Sequence, residues 1–442
     1  MTMKKPKYQA FTLHNFRNIP QIADWPEAAK KEIEIVGRIL PFKTNNYVVD
    51  NLIDWSNIPD DPVYTLNFPR RDLLKSNLYS RMAKAVHSNL PAVEIDALAK
   101  NIQKKLNPDP SGQSANVPLL KGRRLSGVQH KYRETALIFP QAGQTCHAFC
   151  TFCFRWPQFS GLTKSKFMAK ESLSLAEYLR THPKITDILF TGGDPMVMNA
   201  AVLESYIEPF LADDMENLRT IRIGTKTLTY WPYRYLTDPD AKQILKLFER
   251  VVASGKNLAF MAHFNHPVEM STPAVQKAIK RIRETGAQIR TQSPLLRHIN
   301  DKPRIWHEMW QKQLDLGCIP YYMFVERDTG AKHFFAVPLR RCWQIFRETY
   351  QRLSGLCRTV RGPVMSAAPG KVQILGVTEI HGEKVFVLQF IQGRDSEWVD
   401  RPFFAKYDKT ATWLNDLKPA FGDKEFFFEG ELKGMLHPRK RG

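Results

Sequence analysis

The sequence predicts an α/β protein built on a partial (β/α)6, TIM-like barrel, with a helical N-terminal segment before it and a small C-terminal extension after it. Three observations lead there. From about Thr135 to Phe324, short apolar runs alternate with longer helical patterns through six repeats. Polar clusters follow directly after those runs, where the C-terminal strand ends of a barrel gather their chemistry. Before residue 110 and after residue 350 the alternation is absent.

Residues 1–110 read as the helical segment. A helix is expected over Pro26–Val36, and another over Arg71–Leu90, where Leu74, Leu78, Met82, Ala85 and Val86 keep close to helical spacing. Asn57–Pro62 is a turn between them. A further amphipathic stretch, Val93–Leu106, stops at Asn107–Gly112, which has the composition of a linker.

The barrel is expected over residues 125–350, with strands at Thr135–Phe139, Ile185–Phe190, Leu218–Ile223, Leu258–Ala262, Gln288–Thr291 and Ile319–Phe324. Ile244, Leu247, Phe248 and Val251 form the buried stripe of one intervening helix, which ends at Gly255. Ser271, Thr272 and Pro273 start the next, and Gly286 stops it. Such repeats curl a parallel sheet by right-handed crossovers. In residues 351–442, Lys371–Glu379 and Glu383–Gln392 read as a hairpin turning at His381-Gly382, and Lys371 stands at the end of a small-residue run.

The chain of 442 residues has 43% hydrophobic content, ample for a core, and no apolar run of membrane-spanning length. No apolar signal core follows the N-terminus, so a cytoplasmic protein is expected. The net charge of +20 is spread along the chain. Its short basic clusters, Lys121–Arg124, Arg340-Arg341 and Arg439–Arg441, lack the interleaved aromatics of an RNA-binding module, and a nucleic-acid partner is not expected.

Six cysteines in a chain this long do not read as a disulfide framework, and three of them crowd one loop: Cys146, Cys150 and Cys153. A structural zinc site takes four ligands, usually from two separated pairs, and no second pair occurs. Three closely spaced thiolates suit instead an iron-sulfur cube held by three irons, its fourth iron open to a non-protein ligand. A zinc knuckle or a chance grouping is the alternative reading of the spacing alone.

This CxxxCxxC loop resembles the signature of radical SAM enzymes. Over roughly residues 45–395 the chain resembles the lysine 2,3-aminomutase family, which joins a radical SAM barrel to pyridoxal phosphate. The shared motifs occur in order: Asp61-Pro62, Gly127–Tyr132, the cysteine loop, Gly192–Asp194, Arg222–Thr225, His263–Pro267, Gln292-Ser293, Leu295–Asp301, Pro320–Tyr322, His333-Phe334 and Lys371.

The resemblance implies a [4Fe-4S] cluster on Cys146, Cys150 and Cys153, with S-adenosyl-L-methionine (SAM) on the open iron. Gly192 and Gly193 would let backbone approach the amino end of SAM, Asp194 would accept its hydrogen bonds, and His263 and Gln292 would lie near its adenosyl part. Lys371 corresponds to the lysine that holds pyridoxal 5′-phosphate, Arg155 to the arginine on the substrate carboxylate, and Arg133 is the nearest basic residue for the cofactor phosphate. The activity implied is transfer of an amino group from carbon 2 to carbon 3 of a small amino acid. A reductant such as flavodoxin or ferredoxin is implied, and a homo-oligomer is left open.

The departures concern the substrate. Where lysine-specific members place two aspartates, this chain has Val364 at one position and Arg327, or Asp328 with a shifted gap, at the other. A cation there disfavours a substrate ammonium and suits an acidic amino acid such as glutamate. Ala367–Gly370 stands in place of the family's glycine run, and Lys302 replaces a zinc-binding cysteine, so a zinc-linked oligomer is not expected. The competing readings are a radical SAM enzyme acting on a protein lysine or RNA, and a non-catalytic metal-binding scaffold.

Overall fold

The computed structural model describes residues 6–160, 162, 168–169 and 173–436; the Arg439–Arg441 cluster lies outside them. Eleven strands form one sheet in unbroken sequence order: β1 (Val128–Tyr132), β2 (Thr135–Ile138), β3 (Asp187–Phe190), β4 (Thr220–Thr225), β5 (Asn257–His263), β6 (Gln288–Leu295), β7 (Ile319–Val325), β8 (Arg361–Ser366), β9 (Gly370–Ile380), β10 (Glu383–Gly393) and β11 (Pro402–Lys406). Strands β2 to β7 pair in parallel, as the six expected runs require. Helices follow each: α1 (Leu173–Arg180), α2 (Ala200–Ile207), α3 (Ala241–Ala253), α4 (Pro273–Glu284), α5 (Pro303–Asp315) and α6 (Leu339–Tyr350). This is the partial barrel.

Strand β4 starts two residues later than the apolar pattern indicates. Leu218 is buried, but as the end of a turn bonded to Met215, so its hydrophobicity belongs to the floor of the barrel rather than to the ladder. After α6 the parallel order extends by one strand, β8, and then reverses through β9, β10 and β11. The β9–β10 turn is at His381-Gly382, with φ of 50° and 78°, the left-handed pair that a two-residue hairpin needs. At the other edge β1 runs antiparallel to β2.

The N-terminal segment contributes helices Glu27–Gly37, Ser76–His87 and Ala92–Lys104. Its core includes Ile35, Leu78, Met82 and Ile102 and is shared with Phe152, Trp156 and Phe335 of the barrel loops. Its backbone and one side chain also hold the cysteine loop: Phe149 N–H donates to Lys43 O (2.7 Å), Thr151 N–H to Leu66 O (2.9 Å), and the Asn45 side chain through Nδ2 to His147 O (3.1 Å). The Asn107–Gly112 stretch runs against the barrel, tied by Thr329 Oγ1 to Asn107 O (2.6 Å) and by Ser111 Oγ to Ser366 O (3.3 Å). No helix among the described residues is long and apolar enough to cross a membrane.

Candidate active site

A cavity of about 300 Å³ occupies the barrel interior. The alternation of the strands sends Thr135 and Leu137, Leu189, Arg222 and Gly224, Met261 and His263, and Tyr322 and Phe324 into it. It collects almost every residue that the sequence singles out: Cys146, Cys150, Cys153, Arg155, Gly192, Gly193, Asp194, His263, Gln292 and Lys371. The thiols and Lys371 have separate sets of neighbours, which makes a sulfur side and a lysine side.

On the sulfur side all three cysteines are free. Burial pushes the Cys150 thiol up to about 11 and the Cys153 thiol up to about 12. Cys146 is raised well above the ordinary range by burial, then by Asp194 and the other two thiols. Buried sulfurs that resist ionisation unaided are ionised by a bound metal centre. Among the described residues no group of three His, Cys, Asp or Glu side chains is close enough to hold a single ion. Cys146 feels both other thiols, as ligands gathered round one cluster would.

The glycine loop packs directly on the cysteine loop. A Cβ on Gly192, whose φ is +131°, would lie 2.1 Å from Gln144 Nε2, and one on Gly193 would lie 2.3 Å from Thr145 O. Both positions therefore require glycine. The ring of His263 stacks on Phe152 at 6.3 Å, and burial pulls its pKa down to about 3, leaving a neutral imidazole.

Asp194 departs from the role expected of it. Its Oδ1 accepts from Met196 N (2.9 Å) and Thr225 Oγ1 (2.7 Å), and its Oδ2 from Lys226 N (2.8 Å) and Thr227 Oγ1 (2.9 Å). A carboxylate offers about four acceptor sites, and these fill them. Asp194 clamps the loop after β3 to the loop after β4 and is not a free acceptor for SAM. Beside it, Lys226 pairs with the fully buried Glu269 (2.6 Å) and donates to Asn265 Oδ1 (2.8 Å).

On the lysine side, Lys371 donates to Gln392 Oε1 (2.5 Å) between the rings of Tyr132 and Tyr322 (5.5 and 4.8 Å). Burial first, then Arg222, pulls its pKa down to about 7. A neutral amine, the form that reacts with a carbonyl, is thus available near pH 7. Arg155 and Arg327 sit against one ring, Phe154, at 4.8 and 4.3 Å. Burial and then Arg327 lower Arg155 to about 9. Each guanidinium leaves a buried Nη1 without a partner.

Arg133 is not part of the cavity. It occupies the β1–β2 turn at the N-terminal end of β2, half-exposed and paired with Glu134 (2.6 Å). The preceding strand instead turns Lys131 inward, bonded to Ala367 O, and Arg394 donates to Ala368 O (2.8 Å). Lys131 is held well below the usual lysine range by burial and by Arg394, Arg327 and Lys371. Asp328 faces away, with Asn107 donating to its carboxylate (3.2 Å), and Val364 is buried outside the cavity lining. Glu326, in the polar cluster that follows the sixth expected strand, lines the cavity as well, at the alternate position after Tyr322 and Phe324.

No family model matches the chain. A putative L-lysine 2,3-aminomutase of Aquifex aeolicus is 30% identical over 396 residues, 89% of this chain and 92% of that one. The L-lysine 2,3-aminomutase of Methanococcus maripaludis is 25% identical over 73% of this chain and 63% of its own length. Among solved structures, SuiB of Streptococcus suis bound to its precursor peptide SuiA gives a TM-score of 0.38 at 12% identity, over 62% of this chain and 54% of that one. A radical SAM methyltransferase of Sphaerobacter thermophilus gives 0.34 at 14% identity, over 55% and 68%. The extent of the Aquifex match places this chain in the lysine 2,3-aminomutase family, radical SAM isomerases whose cofactors are a [4Fe-4S] cluster, SAM and pyridoxal 5′-phosphate.

Proposed function

We propose that this protein is a radical SAM aminomutase that shifts the α-amino group of an acidic amino acid, glutamate or a close relative, from carbon 2 to carbon 3. The observation that carries the reading is the meeting of three free thiols, Arg155, Arg327 and a depressed-pKa Lys371 in one cavity. When bound, the cluster and SAM supply the radical chemistry, and pyridoxal phosphate supplies the carrier for the amino group.

The chain's own residues bind, orient and shield. Cys146, Cys150 and Cys153 hold the cluster, with Gly192, Gly193, His263 and Gln292 beside SAM. Lys371 holds pyridoxal phosphate, with Arg394 as a cation and Lys131 as a further donor for its phosphate. Arg155 offers the substrate α-carboxylate a planar two-point grip, and the unpartnered Nη1 of Arg327 receives the side-chain carboxylate. Glu326 does not oppose that anion: burial raises its pKa well above the usual carboxylate range, so it stands as a neutral acid able to donate. Ser111, Gln113 and Asn116 line the same cavity and help exclude water. In this reading residues 1–110 brace the cysteine loop, 125–350 form the barrel and 351–442 bring the cofactor lysine.

The test is anaerobic turnover with reconstituted cluster, SAM, reductant and pyridoxal phosphate against pooled amino acids, read by mass spectrometry. A new β-amino acid together with 5′-deoxyadenosine is expected. Deoxyadenosine without any β-isomer overturns the aminomutase reading and directs attention to a protein lysine or RNA.

A further inference from the structure

The hydroxyl of the buried Tyr230 lies 3.3 Å from Sγ of the partly buried Cys150. The direction of that contact is fixed by the next residue along. Asn67 Nδ2 also donates to Val63 O (3.0 Å), and at 3.4 Å it donates to Tyr230 Oη, leaving the phenolic proton for the sulfur. A thiolate ligand has no proton of its own, so once Cys150 binds iron only the tyrosine can donate. The Lys226 ammonium sits 4.8 Å from the centre of the Tyr230 ring and draws electron density from it, which strengthens the O–H donor.

Position is fixed from both directions. The Tyr230 carbonyl accepts from Asn45 Nδ2 (2.9 Å), the same amide that holds His147 O in the cysteine loop. The phenol and the sulfur it faces therefore hang from one buried side chain. Lys226 itself is immobilised by Glu269 and Asn265, so its charge stays beside the ring. Neither Tyr230 nor Asn67 lines the cavity where substrate and cofactors meet.

We propose that Tyr230 is a tuning residue for the iron-sulfur cluster: its O–H donates to the Cys150 thiolate, and the Asn67–Tyr230–Cys150 chain raises the reduction potential of the cluster. A hydrogen bond to a ligand sulfur stabilises the extra negative charge of the reduced state, so it makes reduction easier. The step is one electron from a low-potential donor into the oxidised cluster, with no proton or bond exchanged. This inference rests on the assignment of Cys146, Cys150 and Cys153 as cluster ligands.

The experiment is an EPR-monitored redox titration of the reconstituted holoenzyme, with iron and sulfide content measured on the same samples. Tyr230→Phe is expected to keep full iron content and to shift the midpoint negative, about threefold less reduced cluster at a fixed poise, or about 30 mV for a one-electron couple. Genetically encoded 2,3-difluorotyrosine at position 230, a stronger donor of the same shape, is expected to shift it positive, which keeps the test intact if the phenylalanine variant loses iron. Tyr233→Phe, whose ring packs on Tyr47 and Trp231, is expected to leave the midpoint unchanged. A midpoint that stays put in both position-230 variants overturns the proposal. A wild-type protein that takes up no iron overturns the cluster assignment and this proposal with it.

Discussion

On the sulfur side of the cavity Asp194 and Lys226 are matched within the protein; toward the lysine side Arg222 is paired with Asp187 (2.7 Å), whereas Arg155, Arg327, Lys131 and Lys371 have no carboxylate partner among the described residues. Asp194 is saturated by Met196, Thr225, Lys226 and Thr227, and Lys226 is paired with Glu269. Across the cavity, among the described residues, no carboxylate lies within salt-bridge distance of Arg155, Arg327, Lys131 or Lys371, and Gln129 adds a further buried Nε2 without a partner. Leaving a charge buried and unpaired is strongly unfavourable, on the order of 3–5 kcal/mol when a pair is broken. The sulfur side is a rigid, internally neutralised mount; the lysine side is a set of donors whose counter-anions arrive with the cofactor phosphate and the substrate carboxylates.

Replacing one group on each side should separate the two. The largest effect expected is complete loss of isomerisation in both Lys371→Ala and Cys153→Ser, by different routes. Lys371→Ala should lose the visible absorbance of bound pyridoxal phosphate and keep its iron, while Cys153→Ser should do the reverse, as absorbance spectra and iron assays would show. Loss of both signals in both variants would mean that the two sides are one cooperative unit. Next in size is Asp194→Ala, which strands several donors on the sulfur side and should lower stability by about 3 kcal/mol in denaturant titrations. A change under about 1 kcal/mol would show the clamp to be dispensable.

Arg327→Ala should remove one charge-assisted contact, about 2 kcal/mol, and raise KM for the acidic substrate about thirtyfold with kcat less affected. Glu326→Gln should change KM least, because a neutral acid is exchanged for a neutral amide of the same shape; a large gain in KM would mean that Glu326 acts as an anion. The pH dependence follows from Lys371. Its folded pKa of about 7 lies below the ordinary lysine value, so the neutral amine gains as pH rises through about 7. Binding of pyridoxal phosphate, read by absorbance, should rise over the same window. The unfolded chain binds the extra proton between that pKa and about 10.4, so this group makes stability rise with pH across that interval.

The six parallel strands were legible because each is a buried run with no competing periodicity, and the hairpin after Lys371 because His381-Gly382 can only turn. Strand β8 was not, since Gly362, Pro363 and Ser366 give neither alternation nor a branched apolar run. Among site residues, the cysteines stood out by chemistry and spacing, and Lys371 by the resemblance to the lysine 2,3-aminomutase family. Arg133 misled because motif spacing says nothing about which side of a turn a cation falls on: Arg133 falls in the β1–β2 turn, and Lys131 lines the cavity. Asp194 lined the cavity as expected, yet its carboxylate is consumed by Thr225, Lys226 and Thr227, more than thirty residues away along the chain. The Tyr230–Cys150 contact likewise joins two loops whose approach only the folded barrel sets.

The most direct test of the anion-awaiting lysine side is a competition. The reconstituted enzyme is given equal concentrations of L-glutamate and L-lysine in one anaerobic reaction, and the β-isomers are counted by mass spectrometry. Two unpartnered guanidinium donors predict β-glutamate in large excess and little β-lysine. Predominant β-lysine would contradict the account, because it would require Glu326 to carry the charge on that wall and Arg327 to turn away from the substrate.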